Sequence, residues 1–170
     1  AAFDPASGGA GFDFGGFDFG RTSDPSVLWL YEKVGDVLWT RLVKVIRQTN
    51  TVDQLNECRP YIELCSKVCV DYTGPGVGFG DMCAHDPAIG ASKDGSDPVK
   101  CELCTFSAPF KRLIFPRLRK RFESPVTIRI PPAEDIRQDL HAMRQVVRGT
   151  EFNYWAPRTS EGHSDRCTAG

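Results

Sequence analysis

Residues 24–46 read DPSVLWLYEKVGDVLWTRLVKVI, and the class assigned to the chain turns on how this stretch is read. Asp24 can cap a helix, and Pro25 suits a first helical position. Val27, Tyr31, Val34, Leu38, Leu42 and Val45 follow helical spacing, and Leu28, Trp39, Val43 and Ile46 widen that face. Gly35 falls in the middle, where it costs about 1 kcal/mol relative to Ala. The spacing predicts one long helix buried on more than one side.

On the C-terminal side, Thr51-x-x-Gln54 reads as a capping box that opens a second helix. A further helix is expected from about residue 60 to 71. Residues 73–98 are rich in glycine and proline and read as a long ordered loop. A short element is expected at 100–103, and residues 126–130 alternate as one short strand. Pro132 opens an amphipathic helix with Ile136, Leu140, Met143 and Val147 on one face, and Gly149 stands as its stop. The resulting expectation is a mainly α chain: a small irregular helical body with one short strand, a long Cys-rich Gly/Pro loop, and extended N- and C-terminal arms. Its parts are a Gly/Phe-rich docking arm (1–24), the body (25–149) and a C-terminal arm (150–170). The Cys-rich loop spans about 58–104, and a basic stretch covers 111–121.

The N-terminal arm repeats Gly11-Phe12-Asp13-Phe14-Gly15 as Gly16-Phe17-Asp18-Phe19-Gly20. Glycine this dense is costly to order without support. Phe12, Phe14, Phe17 and Phe19 are therefore expected to dock on a partner, as are Phe152, Tyr154 and Trp155 in the other arm. The doubled Phe-Asp-Phe-Gly resembles the Phe-x-Phe-Gly repeats of nuclear-pore proteins and the Gly/Phe segment of J-domain chaperones. The resemblance is compositional and confined to residues 11–20. The His-Pro-Asp of a J-domain is absent, and no residue role follows from either likeness.

The chain has 170 residues, enough for one domain with a core of its own. Charge nearly cancels, 21 Lys and Arg against 22 Asp and Glu, which disfavours a protein working through global charge. No apolar run approaches the roughly 20 residues that span a bilayer. The charge is nevertheless uneven. Lys111, Arg112, Arg117, Arg119, Lys120 and Arg121 crowd into eleven positions with no acid among them. Such a surface suits an acidic protein partner, with nucleic acid or anionic lipid as other occupants, or pairs with acids of the same chain.

Of seven cysteines, six lie between 58 and 104. Cys58, Cys65 and Cys69 stand before the loop; Cys83, Cys101 and Cys104 stand in and after it. Three readings stay open. The two groups form disulfides with Cys167 left over. Alternatively, Cys65-x3-Cys69 and Cys101-x2-Cys104 hold structural zinc, with Cys83 or His85 in reserve. Finally, all seven are packing thiols.

No phosphate-binding glycine loop and no nucleophile elbow occur. His85, His141 and His163 are scattered, and His163 lies in the terminal arm. The sequence thus leads to a non-catalytic linker subunit of a larger protein assembly, placed in an organelle interior (chloroplast or mitochondrion) rather than the cytosol. The alternatives are a zinc- or disulfide-clamped binding module, adaptor or chaperone-like, and an organellar RNA-binding accessory protein. No enzyme is expected.

Overall fold

The structure, a computed structural model, describes residues 11–20, 24–47, 50–96, 98–123, 127–149, 151–157 and 165–170. Residues 24–46, expected to be one helix, form two strands. β2 (Ser26–Val34) and β3 (Val37–Ile46) pair antiparallel around Gly35-Asp36. Gly35 adopts φ +61°, the left-handed backbone that a tight reversal requires. In β2 the side chains alternate between two faces, and both are covered. Leu28 and Leu30 enter one core while Val27, Trp29 and Tyr31 enter another. A strand buried on both sides reads as a continuous apolar run, and such a run also satisfies a wide helical stripe. That ambiguity misdirects the helical reading.

The glycine-rich arm is corrected in the same way. Residues Phe12–Asp18 form β1, the fourth of seven strands in the order β5-β6-β4-β1-β2-β3-β7. Its glycines serve close packing. A Cβ at Gly15 would stand 2.4 Å from the Leu30 side chain, and one at Gly16 would stand 1.9 Å from the Ala169 carbonyl oxygen. Phe12, Phe17 and Phe19 are buried in the chain's own core, so they are not free to dock elsewhere. Phe14 alone of the four is half exposed. Residues 1–10 and 21–23 of the expected arm lie outside the described residues.

The helix expected to open at Thr51 is present as α1 (Thr51–Glu63) and runs through Pro60, with Asn50 rather than Thr51 as its cap: Val52 N donates to Asn50 Oδ1 at 2.8 Å. Gln54 is not a capping residue but a buried hydrogen-bonding one, donating to the Gly20 carbonyl and accepting from Ser26 Oγ. The next expected helix is instead β4 (Cys65–Asp71), which pairs parallel to β1. The expected loop contains α2 (Gly76–His85) and β5 (Ala91–Ser92). β6 (Cys101–Cys104) stands where a short element was anticipated and pairs parallel to β4 and β5. The basic stretch lies within α3 (Ala108–Glu123), and β7 (Ile128–Arg129) closes the edge beside β3. Residue 126 of the expected strand lies outside the described residues.

α4 (Glu134–Ala142) ends before Met143. Gly149 (φ +65°) turns the hairpin of β8 (Arg144–Arg148) and β9 (Glu151–Trp155) rather than stopping a helix. The C-terminal arm thus contains a strand and a short helix, α5 (Asp165–Ala169). The whole is an α/β fold around a mixed sheet, not a mainly α one. α1 and α2 cover one sheet face over a core of Phe17, Leu30, Ile62, Val68, Val70 and Phe79. α4 and α5 cover part of the other, over Val27, Trp29, Tyr31 and Ile136.

Candidate functional site

β1 and β4 run side by side and parallel, with Phe17 opposite Val70. One residue further on, each strand ends in an aspartate, Asp18 and Asp71. Neighbouring strands lie about 4.8 Å apart, and residues at matched register point to the same face. Phe17 and Val70 point into the core under α1 and α2, so the two carboxylates belong to the opposite face, with Gly16 and α5. Asp18 raises the pKa of Cys167 on α5, second to burial and Asp139, which together push that thiol up to about 12.

Asp71 is partly buried. Burial raises its carboxyl above the usual carboxylate range, against the pull of Thr73, which donates to it, and of Lys111 in the first turn of α3. Its Oδ1 is buried and has no hydrogen-bond partner among the described residues. Thr73 is itself placed by the chain entering α3, since Phe106 N donates to Thr73 Oγ1 at 2.9 Å. A buried carboxylate oxygen lacking a donor is costly unless a cation or donor reaches it. Two adjacent carboxylates with such an oxygen are a hard, anionic oxygen set, which suits Mg²⁺ or Mn²⁺.

α5 is short and cannot hold itself in place. Arg166 is almost fully buried and pairs with Asp135 and Asp139 of α4 at 3.0 Å each. Tyr31 Oη donates to the Gly170 carbonyl at 3.1 Å. With the missing Cβ at Gly16, these contacts seat α5 against β1, two residues from Asp18. Two cavities flank α3. One of about 290 Å³ lies between it and the carboxylate-bearing face, and one of about 940 Å³ lies between it, α4 and the β8–β9 hairpin.

No protein-family model and no curated protein sequence matches this chain. Its fold matches a phage terminase nuclease. The large terminase nuclease of thermophilic phage G20c superposes with a TM-score of 0.69 at 15% identity, over 99% of this chain and 81% of that one. The structure of that nuclease with bound magnesium gives 0.68 at 16%, over 99% and 80%. At such identity the likeness is one of fold, a ribonuclease H-like α/β arrangement.

The expectation of a non-catalytic linker subunit in an organellar assembly is corrected by this match to nuclease domains, and with it the expectation of no enzyme. Of the three cysteine readings, geometry bears against the disulfides and the shared zinc site. All seven thiols are free. Cys58, Cys65, Cys83 and Cys101 lie in the core under α1 and α2, whereas Cys69 and Cys104 meet on the other face. Cys65-x3-Cys69 sits on a strand, not a helix, so its thiols do not converge with Cys101-x2-Cys104 on one ion. Among the described residues no group of three His, Cys, Asp or Glu could hold a metal, so zinc finds no support. His85 bonds the Asp81 carbonyl and joins no cluster, and His163 lies outside the described residues.

Tyr154 packs against Phe115 of α3 with ring centroids 5.0 Å apart and planes tilted by 36°, an internal contact, while Phe152 and Trp155 stay exposed. Of the basic residues, Arg119 pairs with Glu123 at 2.7 Å. Lys111 faces Asp71. Arg112 lines the larger cavity, and Lys120 is exposed. The sequence reading missed Asp18 and Asp71. Each ends an apolar strand just before a glycine-bearing turn, a signal visible once the strands are recognised.

Proposed function

We propose that this chain is a divalent-metal-dependent nuclease in which Asp18 and Asp71 hold the metal. One observation carries the reading: two aspartates end adjacent parallel strands at matched register, and one presents a buried oxygen with no donor among the described residues. The fold shared with a magnesium-binding nuclease supports it. When bound, a divalent cation supplies electrophilic stabilisation of the charge that develops on a phosphodiester under attack.

The chain's own residues prepare that site. Thr73 orients the Asp71 carboxylate, and Lys111 favours its ionised form against burial. Gly16 admits α5 and so walls the site on the β1 side. The test is hydrolysis of an oligonucleotide by the full chain with Mg²⁺ or Mn²⁺, with EDTA, and with Asp18→Asn or Asp71→Asn. Cleavage that needs the cation and is lost in both variants is expected. Cleavage that persists in EDTA, or in both variants, refutes the reading.

A further inference from the structure

The smaller cavity, between α3 and the sheet, has a lining that the carboxylate pair does not explain. Phe14 stands in the central strand of a seven-stranded sheet, yet it is 48% exposed. It faces this cavity, as do Phe106 and Phe110, which meet edge to face at 5.3 Å. α3 crosses above but buries only Phe115. Arg117 and Arg121 line the same cavity. They are four residues apart, on one side of the helix. Neither has an acidic partner among the described residues, whereas Arg41, Arg119, Arg137 and Arg166 all have one. Cys104, paired with Asp71 in register, and Gly16, two residues before Asp18, also line it, so the cavity lies on the sheet face that carries the two aspartates.

We infer that this cleft binds single-stranded nucleic acid, with bases stacked on Phe14, Phe106 and Phe110 and phosphates held by Arg117 and Arg121. Exposed aromatic faces bind bases irrespective of sequence, and arginine suits phosphate. A duplex does not fit, because its bases are already stacked on one another. The volume, about 290 Å³, is also at the lower end of small-ligand pockets, roughly 300–1,000 Å³. The inference deepens the proposed function by naming the form of the substrate, and it rests on that reading only for what happens to the strand once bound.

The experiment is fluorescence anisotropy with the full chain in EDTA, so that binding is separated from cleavage. Three labelled probes of about twelve nucleotides, within the usual range of 4–16, are compared: a single strand, its duplex and an abasic strand. The single strand binds at least about tenfold more tightly than either of the others, the loss expected for one stacked base. Phe14→Ala weakens single-strand binding by roughly 5- to 150-fold and leaves the abasic strand unaffected, while Phe14→Trp restores it. Arg117→Gln and Arg121→Gln each lower the slope of log affinity against log salt by about 0.7. Phe152→Ala, on the hairpin and outside this cleft, changes nothing.

Equal affinity for duplex and single strand overturns the inference, as does Phe14→Ala binding like wild type. Asp71→Asn keeps single-strand binding in EDTA. A chain that binds the strand but never cuts refutes the nuclease reading alone. One that cuts but binds duplex equally refutes the cleft alone.

Discussion

Under α1 and α2 the sheet is packed shut; under α3, α4 and α5 it is not. On the closed side Phe17 stacks on Phe79 with centroids 4.3 Å apart, Phe19 joins them, and Leu30, Val68 and Val70 complete a fully buried layer. On the other side stand a carboxylate pair, two meeting thiols, an ion-paired buried arginine and two cavities. The first face supplies stability and the second is left available for chemistry. Groups that a fold would rather hydrate or neutralise are gathered where a ligand can reach them. β1 belongs to both, sending Gly15 and Phe17 to one face and Gly16 and Asp18 to the other.

The sharpest break between the faces comes from the carboxylates. Asp18→Asn or Asp71→Asn lowers the rate of oligonucleotide cleavage by about a thousandfold or more, the scale of several kcal/mol of lost charge stabilisation, while circular dichroism stays that of the wild type. On the closed face, Phe79→Ala has the reverse signature. It costs about 3–5 kcal/mol of stability, or roughly 10 °C or more in Tm, with activity per folded molecule retained.

The adjacent glycines refine the comparison at a single step along β1. Gly15→Ala pushes on the Leu30 side chain in the closed core and lowers stability by about 1–3 kcal/mol with the chemistry intact. Gly16→Ala meets the backbone of α5, which must move. Its larger effect is expected on cleavage rate and on the Mg²⁺ concentration for half-maximal activity, and its smaller one on Tm. Equal effects of the two on both readouts would erase the distinction between the faces.

The smallest effect is one of pH. Burial raises the Asp71 pKa in the folded chain, so the folded state holds a proton there that the unfolded chain has released. This contribution to stability is present below the unfolded carboxylate value, about 3.9, and is lost as pH rises through the raised value. At neutral pH the buried charge is therefore a net burden. Asp71→Asn raises Tm by a few degrees at pH 7, and the gain shrinks on acidification. A Tm difference that grows towards acid would contradict it.

The opening of a helix at residue 51 and of an amphipathic helix after Pro132 were legible, because each carries local signals within one or two turns, while both ends were misplaced. The strands were not. β2 has both faces buried, and nothing in its own residues separates a doubly covered strand from a broad helical stripe. The repeat at 11–20 read as an arm because glycine's cost is local, while its compensation comes from Leu30 and Ala169, distant in sequence. The site was hidden for the same reason. Asp18 and Asp71 are 53 positions apart, and neither has any local feature of a metal ligand.

What the residues dictate on their own is local: a helix opening at residue 51, an amphipathic helix after Pro132, and a cationic run at 111–121. Which aspartates face each other depends on the register of β1 against β4. That register is set by burying Phe17 and Val70 in one core, and a slip of one residue in either strand would send its carboxylate to the closed face and separate the pair.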